Sequence, residues 1–262
     1  MCRVIAVANQ KGGVGKTTTC VNLGIGLARE GKKVLLIEAD AQGSMAVSLG
    51  IQEPDELDET LVNIMEKLIN DKEPEPGEGI IHHEEGVDFI PANIELAGLE
   101  TSLVNVMSRE MVLRQYICGI KKQYDYILID CPPSMGLVTL NAFSACDSVI
   151  VPIQCEYYAL EGLSQLMATV RQVKRLYNPA IELEGILLTM YDGRLKLTEQ
   201  VREEVKSHFP DKVYETVIPR NVRLSEAPSF GMPAIYFDKN SRGAKAYIEL
   251  AKEFLKKNLI KQ

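Results

Sequence analysis

The residues Gln10-Lys11-Gly12-Gly13-Val14-Gly15-Lys16-Thr17-Thr18 follow directly on the apolar run Val4-Ile5-Ala6-Val7 and open a segment with helical patterning. Glycines at 12, 13 and 15 let backbone N–H groups crowd around phosphate oxygens, and the positive end of the following helix adds field. Lys16 is placed to reach the β- and γ-phosphates, with Thr17 and Thr18 beside it and Thr17 positioned to ligate Mg²⁺. The spacing departs from G-x-x-x-x-G-K-[ST], because Gln10 stands where the first glycine belongs and Lys11 adds a second lysine. This is a deviant Walker A loop, and a nucleoside triphosphate is its implied ligand. A glycine-rich loop of chance composition is the bland alternative; the strand before, the helix after and the Lys-Thr pair in place weigh against it.

Working outward, short β-branched-rich runs recur at 4–8, 34–37, 126–129, 149–153, 186–188 and 213–218. Runs apolar on both faces suit a parallel sheet buried by helices. Helical patterning at 16–29, 109–121, 157–176, 197–207 and 244–257 supplies crossovers. The alternation predicts an α/β fold with a doubly wound, mostly parallel sheet flanked by helices. Its ligands should sit beyond the carboxyl ends of the strands. The stretch 71–79 is polar and rich in Pro and Gly, so it reads as a surface loop within one domain spanning 1–262.

Two acidic positions fall at predicted strand ends. Glu38 and Asp40 have i, i+2 spacing after the second strand, where alternate side chains share a face and a carboxylate can orient water or contact a metal shell. Asp130 closes the run Tyr126-Ile-Leu-Ile-Asp130 in a Walker B arrangement and would hold a water of the Mg²⁺ shell. Cys131-Pro132-Pro133-Ser134 then stiffens a loop placed to sense the γ-phosphate.

The chain has 262 residues, 46% of them hydrophobic, enough to bury a large core. The N-terminus runs straight into a strand with no signal-like segment, which argues for a cytosolic address. Six cysteines, at 2, 20, 118, 131, 146 and 155, show no C-x-x-C spacing and read as reduced thiols, mostly buried. His82, His83 and His208 have no ligand spacing and read as solvent-facing. The net charge of −7 is uneven: residues 1–170 carry 12 Lys and Arg against 24 Asp and Glu, and residues 171–262 carry 17 against 12, giving −12 and +5. A solvated basic face or an anionic partner explains such a bias.

With these motifs in place the chain resembles the ParA/MinD family of deviant Walker A, SIMIBI-type P-loop NTPases, and within it the Soj-type chromosomal partition ATPases. The likeness extends through 87–99 (VDFIPANIELAGL), 156–162 (EYYALEG), 188–194 (LTMYDGR) and 219–228 (PRNVRLSEAP), and is weakest at 71–79. It implies ATP and Mg²⁺ as cofactors and a homodimer that sandwiches the nucleotides. Lys11 would reach the partner's nucleotide as a finger in trans, Lys16 the phosphates, and Asp40 the attacking water. Asp130 would serve the metal, and Pro219 with Asn221 the adenine. Arg194 and Arg223 match positions that contact DNA, giving the basic last third a meaning: sequence-independent phosphate contacts on double-stranded DNA. A ParB-type centromere-binding protein is the implied partner and the nucleoid the implied location. Relatives often have Asp at 38, Pro at 41 and Asn at 44, so Glu38, Ala41 and Ser44 bear on the hydrolysis rate.

Two other function classes share the loop. A MinD-like membrane-surface ATPase anchors through a terminal amphipathic helix, and residues 254–262 mix apolar and basic side chains; they read more simply as the end of a packed closing helix. Metal-cluster reductases need cysteines facing each other across a dimer, and no cysteine here lies in such a glycine-rich loop.

Overall fold

The apolar runs become strands because both their faces are covered. In the computed structural model, which describes residues 2–260, the chain runs β1 (Arg3–Val7), α1 (Lys16–Arg29), β2 (Val34–Glu38), α2 (Ser44–Ser48), α3 (Leu61–Ile69), β3 (Ile81–His82), β4 (Asp88–Ile90), α4 (Glu95–Leu103) and α5 (Val112–Ile120). It continues through β5 (Tyr126–Asp130), α6 (Leu137–Ala145), β6 (Ser148–Gln154), α7 (Ala159–Leu176), β7 (Glu182–Thr189), α8 (Lys196–His208), α9 (Val222–Glu226), α10 (Ala234–Phe237) and α11 (Arg242–Ile260). The seven strands form one sheet in the order β3-β4-β2-β5-β1-β6-β7, parallel throughout except where β3 meets β4. Every residue of β2 and β5 is buried.

The strand order explains where the site lies. From β1 the chain crosses β5 to reach β2 by way of α1, and from β5 it crosses β1 to reach β6 by way of α6. Right-handed crossovers in opposite directions put those two helices on opposite faces. The carboxyl ends of β1 and β5 therefore splay into a crevice between them. Val7 pairs with Asp130 there, so the phosphate loop and the Walker B aspartate start side by side. One face carries α1 and α11, whose backbones approach closely: a Cβ on Gly26 would stand 2.8 Å from that of Ala251. The other face is covered by α3 to α8, with Leu61, Leu113, Phe143, Leu166 and Val205 buried in its core.

Some expectations change. Residues 213–218 run along the β7 edge but make only isolated bridges, Ile186 with Val213 and Tyr191 with Pro219. The reason is competition: the N–H groups of Glu215 and Thr216 donate to the Glu253 carboxylate of α11 instead, each at 2.9 Å. The helix expected from 109 begins at Val112, since Ser108 takes a left-handed φ of 54° and the chain turns there. His83 is half-buried, its Nε2 3.1 Å from the Leu49 carbonyl, whereas His82 and His208 are exposed. Cys118 is exposed and Cys2 half-buried, the other four cysteines being buried.

Tyr247, Leu250, Ala251 and Phe254 of α11 are all buried against α1 and the sheet. Residues 261 and 262 of the tail lie outside the described residues. No helix among the described residues is long and apolar enough to cross a membrane.

Candidate functional site

Asn9 fixes the entry to the phosphate loop. Its buried side chain donates from Nδ2 to the Pro152 carbonyl of β6 (2.7 Å) and accepts the Lys11 N–H at Oδ1 (2.9 Å). Gly13 and Gly15 then adopt φ of 70° and 86°, conformations that a Cβ disfavours. Gly12 has nothing within 4 Å of where a Cβ would stand, so protein packing does not demand glycine there. From the far side the buried Thr189 hydroxyl is within donating distance of the carbonyls of Val14 (2.8 Å) and Ile153 (3.1 Å), tying the loop to the ends of β6 and β7. Helix α1 starts at Lys16 with no acidic residue in its first turn and no side-chain cap. Its first N–H groups are thus left for another acceptor.

Lys16 is 6% exposed, and its Nζ donates to the Lys11 carbonyl at 3.1 Å. Burial lowers its pKa, with Asp130 and Asp40 acting in the opposite sense. Asp130 is wholly buried, and among the described residues neither carboxylate oxygen has a hydrogen-bond partner. Burial pushes its carboxyl up to about 7; the Thr17 hydroxyl stands near enough to oppose that rise, though outside good hydrogen-bond geometry. A buried carboxylate with two orphaned oxygens, beside a threonine and a lysine, is a donor set that fits a hydrated Mg²⁺.

A cleft of about 450 Å³ brings Gly12, Gly13, Gly15, Lys16, Thr17 and Thr18 together with Asp40. Asp40 accepts the Gln42 N–H at Oδ1 (3.1 Å). Glu38 does not line this cleft. Its carboxylate, buried beside Asp130 in the β2–β5 register, turns toward backbone N–H groups of α2, so the expected acidic pair does not act on one face. A second cleft, of about 440 Å³, shares Gly15, Thr18 and Met190 with the first and is lined by Val14, Thr189, Pro219, Asn221 and Tyr247. Asn221 caps α9, its Oδ1 accepting the Arg223 N–H at 2.8 Å. Tyr247 is held in place by its hydroxyl contact with Thr19 of α1 (3.1 Å). Met190, between the two clefts, is held at φ 48°, uncommon outside glycine.

Lys11 lines neither cleft. Its half-exposed ammonium forms an ion pair with Glu156, just beyond β6. The arginines expected to meet DNA also have carboxylate partners: Arg194 grips Asp192 with two parallel bonds (2.8 and 2.6 Å), and Arg223 reaches Glu226 (2.9 Å) and Asp238 (3.4 Å). Arg194 shares an open cleft with Arg220 and Arg242. The sequence reading missed those two arginines; Arg220 was visible within the PRNVR motif, but Arg242 is brought there only by folding. It missed Thr189, Met190 and Glu156 as well, each inside a motif whose spacing alone assigns no role.

Fold and site together define a P-loop nucleoside-triphosphatase with a deviant Walker A loop. A family model described as an AAA domain matches residues 2–183. The chain is 54% identical to the sporulation initiation inhibitor protein Soj of Bacillus subtilis, over 97% of this chain and 98% of that one. It is 48% identical to the chromosome partitioning protein ParA of Myxococcus xanthus, over 98% and 89%. Among solved structures it resembles a Mycobacterium smegmatis cobyrinic acid a,c-diamide synthase with bound ADP and magnesium (TM-score 0.82, 37% identity, 100% and 97% covered). It also resembles the Pyrococcus horikoshii septum site-determining protein MinD complexed with Mg-ADP (TM-score 0.79, 26% identity, 100% and 99% covered). The chain belongs to the ParA/MinD family of P-loop ATPases, on the branch of the Soj/ParA chromosome-partitioning proteins.

Proposed function

We propose that this chain is an ATP-driven DNA-binding switch for chromosome or plasmid partition, acting as one domain over residues 1–262. The observation that carries the reading is the convergence of Lys16, Thr17 and Asp40 on one cleft that adjoins a second lined by Pro219 and Asn221, with the orphaned Asp130 buried beside Thr17 and Lys16. The loop N–H groups, Lys16 and the start of α1 bind the phosphates, and the second cleft receives the adenine. Thr17 and Asp130 would hold Mg²⁺, which would supply neutralisation of the phosphate charge. Asp40 orients the attacking water, and hydrolysis is slow until a ParB-type partner stimulates it.

Lys11 reaches a partner subunit's nucleotide, which makes ATP binding and dimerisation one equilibrium. Its pairing with Glu156 leaves it at the surface, where exchange of partners costs little. Arg194 and Arg223 bind DNA phosphates by trading their present carboxylates for the dense phosphate array, with counterion release as the gain. A dimer doubles the phosphate contacts, so its affinity exceeds a single subunit's by orders of magnitude and falls more steeply with salt. The switch works on the nucleoid through that difference.

Retention of the full chain on nonspecific duplex DNA is expected to require ATP and Mg²⁺, and to vanish in Arg223→Glu while light scattering still shows the ATP-dependent dimer. Equal retention without nucleotide rules the switch out.

A further inference from the structure

Glu38 ends β2, is fully buried and is absent from the cleft lining. Its carboxylate accepts three backbone hydrogen bonds: from Met45 at Oε1 (2.5 Å), and from Ala46 (3.3 Å) and Ala92 (3.2 Å) at Oε2. Met45 and Ala46 belong to α2, and Ala92 follows β4. One side chain therefore joins the end of β2, the start of α2 and the loop beyond β4.

The segment so fastened forms one wall of the phosphate cleft. Asp40, Gln42, Ser44, Val47 and Ser48 all line it, opposite the glycine loop. Met45 and Ala46 are buried in the core, but the segment has few other hydrogen bonds: Ala39 donates to the Asp130 carbonyl (2.9 Å), after which the bonds are local to the turn, from Gln42 and Gly43 back to Asp40. Gly43 has φ 63°, and a Cβ there would meet Pro54 at 2.9 Å, so the turn has little slack. Three donors converging on two oxygens suit a carboxylate, and these N–H bonds oppose the rise to about 8 that burial, helped by the neighbouring Asp130, imposes on this carboxyl. A shorter carboxylate from the same backbone position loses about 1.5 Å of reach, the length of one C–C bond.

We propose that Glu38 is a positioning residue for hydrolysis, its carboxylate clamping the Asp40 segment at the distance from the phosphates at which Asp40 orients water. The inference rests on the reading of Asp40 given above. It assigns Glu38 neither to the metal shell nor to the water, but to the backbone that carries Asp40.

The test uses the full chain with Mg-ATP and compares the parent with Glu38→Gln, Glu38→Asp and Asp40→Ala. In Glu38→Gln one oxygen is replaced by a donor that faces other donors. Its kcat is expected to fall tenfold or more, while the affinity for a fluorescent ATP analogue stays within threefold, because the glycine loop and α1 are untouched. Glu38→Asp keeps the charge and loses reach, so it should recover part of the loss, remaining at least threefold below the parent. Amide exchange at Met45, Ala46 or Ala92 should be at least tenfold faster in Glu38→Asp, with Thr19 unchanged. A Glu38→Gln kcat within twofold of the parent, or a kcat loss matched by an equal loss of analogue affinity, overturns the proposal. If Glu38→Gln does not fold, Glu38→Asp decides: parental kcat with parental exchange overturns it. Turnover surviving in Asp40→Ala sinks the Asp40 reading itself, whereas a dead Asp40→Ala beside a fully active Glu38→Gln sinks only the clamp.

Discussion

Replacing Asp130 by Asn isolates the cost of holding a buried, unpartnered carboxylate ready for a cation. Burial moves this carboxyl from 3.8 to about 7. A rise of about three units corresponds to about 4 kcal/mol of folding free energy. Because the folded chain binds this proton more tightly than the unfolded one, that contribution is fully present below about pH 4 and is lost as pH rises through about 7. The Asn side chain has the same shape and no charge, but where its amide N–H groups stay as unpaired as the Asp130 oxygens they cost about 1–3 kcal/mol. At pH 4, where both side chains are neutral in the folded protein, the variant is expected to be no more stable than the parent. By pH 7.5 it should be the more stable, with the difference between the two chains changing by about 4 kcal/mol across that interval. Urea unfolding of nucleotide-free protein at both pH values measures this; with a slope of about 3 kcal/mol per molar the relative midpoint moves by about 1 M. Comparing two chains cancels the carboxylates that Asp130 does not face; Glu38, which Asp130 helps to raise, is the exception. Mg-ATP should reverse the order at pH 7.5, stabilising the parent and leaving the Asp130→Asn variant nearly unaffected. A stability difference that does not change between the two pH values refutes the reasoning.

Three further outcomes test the surroundings of the loop. Thr189→Val keeps the shape but removes the donor that reaches the Val14 and Ile153 carbonyls; it should cost about 1–3 kcal/mol of stability, and a calorimetric Mg-ATP affinity within twofold of the parent would show that Thr189 does not anchor the loop. In an Asp40→Ala background Lys11→Ala should stay monomeric in Mg-ATP by light scattering. Glu156→Gln, which removes an exposed ion pair worth about 0–1 kcal/mol, should lower the dimerisation midpoint by no more than about fivefold; a raised midpoint counts against Lys11 being held in cis.

Glycine-rich loop, Walker B aspartate and parallel-sheet strands were legible because each is encoded locally. Their signals are a run of small residues, an apolar run ending in Asp, and β-branched segments of strand length. Helix α6 was not legible, since Val138, Thr139, Asn141, Ala142, Phe143 and Ser144 are buried around its circumference and leave no amphipathic period to read. The run 213–218 looked like a strand and failed to pair as one because a carboxylate 37 residues away, Glu253, takes its Thr216 N–H. Among the site residues, Lys16, Thr17 and Asp130 were readable from spacing. The orphaned state of Asp130 was not, because desolvation depends on what surrounds a side chain.

By itself the sequence determined the loop chemistry, the alternation of strand and helix, and the basic bias of the last third. Those are properties of neighbours along the chain, set by spacing and side-chain type. Only the tertiary structure decided that Glu38 turns away from the cleft while Asp40 enters it, that Thr189 holds the loop from the far side of the sheet, and that Arg242 joins Arg194. Each depends on residues far apart in sequence, brought together by strand order and by the need to give every buried N–H an acceptor.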